Sequence, residues 1–162
     1  MSSEPSAPAP ACARLRVDVA AQRLELIENG SILWSAPCST SRFGLGEEEG
    51  SFKTPLGLHR IAEKIGAGEP LGMRFVSRRP TGHVWKAEDP PLEEDWVLTR
   101  ILWLEGLEPG NANSRARYIY FHGTNREDRI GTPASHGCIR LRNEDMMTLF
   151  ERVEVGTEVE IV

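Results

Sequence analysis

Apolar residues recur with a period of two along most of this chain, and with the helical period only once. Leu15, Val17 and Val19 alternate with Arg16 and Asp18, the pattern of a strand with one buried face. Arg23 to Glu28, then Asn29-Gly30, then Ser31 to Ser35 read as a hairpin, because Asn-Gly accepts the positive φ angles of a type I′ turn. Trp96 to Leu104 is a dense apolar run suited to a central strand buried on both faces. Residues 117–121, "RYIYF", give another strand, and Thr157 to Val162 alternates as the last. The single helical stripe is Met146, Met147, Leu149, Phe150 and Val153. Asn143 is placed to cap it, Glu144 and Asp145 suit the first-turn dipole, and Gly156 ends it. The pattern predicts a mostly β domain with one late α-helix.

Between these elements the chain is irregular. Pro37 to Gly50 is a polar, glycine-spaced loop, and "SFKTPLGLHRIAEKIG" is a strand or strand pair broken at Pro55 and Gly57. Gly66 to Asp95, rich in Pro, Gly and charge, reads as a long inserted loop region. Loops of that length in compact domains are usually functional or hide short elements. Residues 1–12 are Pro/Ala/Ser-rich and read as a disordered tail, which leaves 13–162 as one domain.

Composition narrows the partners. The chain has 162 residues, 40% hydrophobic and 27% charged, enough for a soluble domain with its own core. A formal charge of −5 argues against a non-specific nucleic-acid binder. The three cysteines, Cys12, Cys38 and Cys138, cannot all pair within the chain. A thiol is left free, which favours a reducing compartment or a functional sulfur. The first residues lack the basic and apolar regions of a secretory signal, and no run approaches the roughly 18–20 apolar residues of a membrane span. The expectation is a cytoplasmic protein with no cofactor, no metal, no membrane or nucleic-acid partner and no obligate protein partner.

The chemistry concentrates in "YIYFHGTNREDRIGTPASHGCIRLRN", residues 118–143. His122 and His136 each precede a glycine, and Cys138 follows the second His-Gly pair directly. A thiol attacks only as thiolate and needs a base or positive surroundings to reach that form. Either histidine could be that base. Gly137 lets the backbone bend so that consecutive N–H groups face one point, as an oxyanion hole requires. Two other readings compete: a buried structural cysteine, and a zinc site on His122, His136 and Cys138, whose H-x-C spacing is not that of the usual structural sites.

The whole segment resembles the L,D-transpeptidase catalytic domain, or YkuD, family. The resemblance is carried by Phe121-His122-Gly123-Thr124 and by Ser135-His136-Gly137-Cys138-Ile139-Arg140. It extends to "LRVDVAAQRLELIENGSILWSAPCST", "GSFKTPLG" and "GTEVEIV", and is weakest over residues 66–110. It implies a β-sandwich-like domain working through an acyl-enzyme. Cys138 would attack the carbonyl between the diamino acid and terminal D-alanine of a peptidoglycan stem peptide. His122 would be the base, held by a backbone carbonyl around Gly123. Amides of His136, Gly137 and Cys138 would form the oxyanion hole, and Ser135 with His136 would orient the loop.

Substrate carboxylates are expected at Arg140, Arg78 and Arg100, with Thr124 beside them; Arg74 and Arg79 are further candidates. Trp85 and Trp96 could wall a pocket, whereas Trp103 and Cys38 read as core, and His59 and His83 receive no role. Water as acceptor gives an L,D-carboxypeptidase that trims muropeptide tetrapeptides during wall recycling. An amine acceptor gives a transpeptidase that cross-links or exchanges D-amino acids. A wall-peptide binding module with a dead site is the rival outside enzymology.

Overall fold

The computed structural model describes residues 13–162. The expected disordered tail, with Cys12, lies outside the described residues. Ten strands and one α-helix follow in chain order: β1 (Arg14–Asp18), β2 (Arg23–Glu28), β3 (Ser31–Pro37), β4 (Gly57–Ile65), β5 (Met73–Val76), β6 (Arg79–Val84), β7 (Val97–Gly106), β8 (Tyr120–Gly123), β9 (Ile139–Leu141), α1 (Asn143–Arg152) and β10 (Glu158–Ile161). The mostly β, single-helix expectation holds.

The strands form one mixed sheet in the order β3-β2-β1-β10-β4-β7, and β7 continues through β8 to β9. The β1–β10 and β8–β9 pairs are parallel. The two ends of this series meet. Just beyond β3, the Ser39 N–H donates to the Arg140 carbonyl and the Arg140 N–H to the Ser39 carbonyl, each at 2.9 Å. The sheet therefore curls until its two ends come together around the main core.

That core is the sum of the inward alternate positions. Leu15 and Val17, Leu24 and Leu26, Ile61, Leu102 and Leu104, Phe121, Ile139 and Leu141, Val159 and Ile161 meet Met146, Leu149, Phe150 and Val153 of α1. Each fully buried aliphatic side chain contributes roughly 1.5–3 kcal/mol. Cys38 belongs to the same cluster, and burial pushes its thiol up to about 12. It is a packing residue, as expected.

Element ends shift, α1 stopping at Arg152 rather than at Gly156 and the strand expected over 117–121 starting at Tyr120, and two larger departures bear on the site. Asn143 does not cap α1: Arg142 is the N-cap residue, without a side-chain cap bond. Glu127 reaches across instead, its Oε2 accepting the Asn143 N–H at 2.8 Å. The Asn143 side chain turns inward, where its Nδ2 donates to the Thr124 carbonyl and its Oδ1 accepts the Thr99 hydroxyl. The second departure lies in the long insertion, which contains the β5–β6 hairpin, branching from the first half of β7. Its turn, Ser77-Arg78, holds φ of +50° and +65° without glycine or asparagine, so no turn-forming residue marked it in the sequence.

Candidate active site

Strands β8 and β9 sort their residues by face. Phe121, Ile139 and Leu141 point into the core. Tyr120 belongs to a second apolar cluster with Met73, Phe75 and Ile101, against which Cys138 packs. His122 and Arg140 are opposite partners in the parallel ladder, and continuing that register by one pair sets Tyr120 beside Cys138. The period of two therefore gathers Tyr120, His122, Cys138 and Arg140 on one face.

His122 is buried, with Nδ1 at 2.6 Å from the Gly123 carbonyl oxygen. A carbonyl only accepts, so Nδ1 carries the hydrogen and Nε2 is left as an acceptor. Burial holds the imidazole below the ordinary histidine value, a pull that the Asp95 charge and the Gly123 bond oppose and Arg140 reinforces. Gly123 has no substitute here: a Cβ would lie 2.2 Å from Asn143 Oδ1 and 2.9 Å from the Leu98 carbonyl oxygen.

The Cys138 thiol sits between two backbone groups. It donates to the Tyr118 carbonyl at 3.3 Å and receives the Tyr120 N–H at 3.4 Å. Tyr118 adopts φ +59°, a left-handed conformation for a bulky residue of the kind that clusters at functional sites. Crowding around the sulfur pushes the thiol up to about 12, with Asp95 adding and the Tyr120 amide, Arg140 and Arg117 opposing. A thiol that donates to a carbonyl keeps its proton in that bond, so attack requires transfer of the proton.

The nucleophile's loop is clamped from within. The Ser135 hydroxyl donates to the Cys138 carbonyl at 2.6 Å and accepts the Gly137 N–H at 3.2 Å. The Gly137 amide, expected in the oxyanion hole, is thereby engaged inside the loop. Gly137 has φ +122°, and its carbonyl accepts the Thr54 hydroxyl at 3.0 Å. Thr54, in the "GSFKTPLG" segment, positions the loop and went unremarked as a residue in the sequence. His136 is on the surface, 46% exposed, packed by Phe43 and Phe52 with ring centroids 5.8 and 5.9 Å away. The two histidines are therefore separated by environment: His122 is sealed and oriented, His136 is open.

The expected substrate contacts divide in the same way. Arg78, at the β5–β6 tip, donates to the Tyr120 hydroxyl at 3.1 Å and lies over the Trp103 and Tyr118 rings. It lines a cleft of about 380 Å³ with Phe75, Val97, Ile101, Tyr118 and Tyr120. Tyr118 and Tyr120, which hold the Cys138 sulfur, are walls of that cleft. Arg100 and Thr124 are corrected: both are buried. Arg100 donates to the carbonyls of Glu69 and Thr99, and Thr124 Oγ1 accepts the Arg126 N–H. Backbone groups of Glu69, Thr99 and Arg126 engage them away from solvent. Arg140, at 2% exposure, is paired with Asp95 at 2.9 Å rather than presented to solvent. Arg74 stacks on Trp96 at 4.0 Å. Asp95 carries no motif and was missed altogether.

A larger cavity of about 560 Å³ lies at the N-terminus of α1, lined by residues including Trp85, Lys86, Glu127 and Arg142, and by none of His122, His136 and Cys138. Among the described residues no group of three or more His, Cys, Asp or Glu could hold a metal ion, and no helix is long and apolar enough to cross a membrane.

Known proteins share sequence and fold with this chain. The chain is 54% identical over 46 residues to the probable L,D-transpeptidase YbiS of Escherichia coli, a stretch that is 28% of this chain and 15% of that protein. It is 37% identical over 71 residues to the putative L,D-transpeptidase YqjB of Bacillus subtilis, 44% of this chain and 35% of that one. The matched stretches thus cover a minor part of those relatives' length. In fold it is similar to an L,D-transpeptidase from Xylanimonas cellulosilytica, with TM-score 0.59 and 19% identity over 98% of this chain and 64% of that one. A Mycobacterium smegmatis L,D-transpeptidase gives TM-score 0.56 at 18% identity over 94% of this chain and 59% of the other. The profile of the L,D-transpeptidase catalytic domain matches residues 13–161, and the chain belongs to this YkuD family.

Proposed function

We propose that this protein is a cysteine-dependent L,D-carboxypeptidase that removes terminal D-alanine from soluble peptidoglycan tetrapeptides in the cytoplasm. The observation that carries the reading is that a buried, Nδ1-tethered His122 and Cys138 share one face of β8–β9, with the sulfur held by Tyr118 and Tyr120, which wall a cleft that Arg78 also lines. The thiol leaves the Tyr118 carbonyl and passes its proton to Nε2 of His122. The thiolate then adds to the carbonyl carbon of the diamino acid–D-alanine bond. The C–N bond breaks, the leaving amine takes the proton from His122, and a thioester remains on Cys138. Water, deprotonated by His122, opens the thioester and returns the thiol. Arg78 is the side chain best placed to meet a substrate carboxylate.

Transfer to an amine is the second reading. The exposed shelf of Phe43, Phe52 and His136 beside the nucleophile's loop offers an apolar seat for an acceptor. Incubating the purified protein with disaccharide tetrapeptide, with and without a D-amino acid, separates the two by mass spectrometry. Tripeptide as the main product in both arms supports hydrolysis. Exchanged tetrapeptide as the main product overturns it.

A further inference from the structure

We infer that Asp95 is a positioning residue of the catalytic centre, neutralising Arg140 beside His122 so that His122 can take the Cys138 proton. The inference rests on the reading of Cys138 and His122 as nucleophile and base.

Asp95 lies near the end of the segment between β6 and β7. Its neighbours Glu93 and Glu94 project into solvent, whereas its own side chain is 18% exposed. Oδ1 accepts from Arg140 Nη1 at 2.9 Å, and Oδ2 lies 4.0 Å from His136 Nδ1. Arg140 is the cross-strand partner of His122, and its Nε and Nη2 are buried without partners. Among the described residues Asp95 is the carboxylate paired with it. The segment does not need this bond to stay down. Asn125 ties it through the Trp96 N–H and the Glu94 carbonyl, and Arg126 and Arg129 grip Glu93.

The charges facing the proton transfer are Asp95 from this segment and Arg140 from β9, with Arg117 acting on the sulfur and His136 beside Asp95. A lone buried guanidinium beside an imidazole disfavours imidazolium formation. With Asp95 ionised, the two fixed charges cancel, and His122 can accept the proton.

The test is the pH dependence of kcat/KM for tripeptide release from disaccharide tetrapeptide, in three variants. Asp95→Asn keeps the shape and removes the charge; it is expected to lower the plateau about tenfold and to move the acidic limb to lower pH. Arg140→Met, which leaves Asp95 alone, is expected to move that limb the opposite way. The double variant is expected to return the limb toward wild type and to recover part of the loss; the recovery follows from any paired contact, whereas the movement of the limb is what a purely structural contact does not produce. Should Asp95→Asn not fold, the Arg140→Met limb decides alone. An unmoved limb in the single variants, or a double variant no better than the sum of its parts, overturns the inference. Turnover surviving in Cys138→Ala would instead overturn the underlying site, so the two failures are distinguishable.

Discussion

The two faces of the β8–β9 pair share a backbone and a register, yet they follow opposite rules. On the core face, Phe121, Ile139 and Leu141 are buried among other hydrocarbon, and neighbours of similar volume could replace them at modest cost. On the other face, His122 and Arg140 are buried and Cys138 is half-buried, but each depends on particular polar atoms: the Gly123 carbonyl, the Asp95 carboxylate, and the Tyr118 carbonyl with the Tyr120 amide. One face is held by volume and the other by direction. Substitutions on the first should therefore cost stability, and those on the second should cost turnover.

The sharpest way to break this division is Cys138→Ala. Tripeptide release from tetrapeptide should fall by roughly 10³-fold or more, about 4 kcal/mol of transition-state stabilisation. The melting temperature, read by calorimetry, should stay within a few degrees. A variant that lost stability and kept turnover would erase the distinction between the faces.

Phe121→Ala, one residue from the proposed base, tests the converse. Loss of this fully buried ring should destabilise the fold by about 3–5 kcal/mol in urea titration. In whatever fraction stays folded, kcat per molecule should stay within a few-fold of wild type. A selective collapse of kcat would show that the two faces are coupled.

Acid sharpens the comparison through protons. His122, and His59 with its bonds to Gly57 and Ser114, are both held neutral by burial, below the ordinary histidine value of 6.5. The unfolded chain therefore binds more protons than the folded one below pH 6.5. Stability is fully present above that pH and falls as the pH drops. Denaturant midpoints measured from pH 7.5 to 5 should decline, and His59→Gln should flatten the decline without touching the acidic limb of turnover.

Arg78→Ala should have the smallest effect. The side chain stands at a hairpin tip and stacks on Trp103 and Tyr118, so stability should change by no more than about 0.5 kcal/mol. KM for tetrapeptide should rise several-fold with kcat nearly unchanged. A large fall in kcat would move Arg78 from binding to chemistry.

The alternation of Leu15, Val17 and Val19, the Asn29-Gly30 turn and the stripe of α1 were legible because each is local: side-chain direction repeats with backbone geometry. The β5–β6 hairpin was not, because Ser77 and Arg78 take left-handed angles that their tertiary setting imposes rather than their residue type. Asn143 shows a related limit. A good N-cap residue was taken inward by Thr99, Thr124 and Glu127, partners between 16 and 44 positions away.

The sequence by itself determined a β-rich domain with one late helix, and it put His122, His136 and Cys138 forward together through their glycines and spacing, with His122 preferred as base only through the family resemblance. Only the tertiary structure decided which histidine is sealed and tethered and which is exposed, that Arg100 and Thr124 are buried on backbone partners, and that Asp95 reaches Arg140. Those outcomes depend on burial and on partners brought together from distant strands, and neither is encoded in the local order of residues.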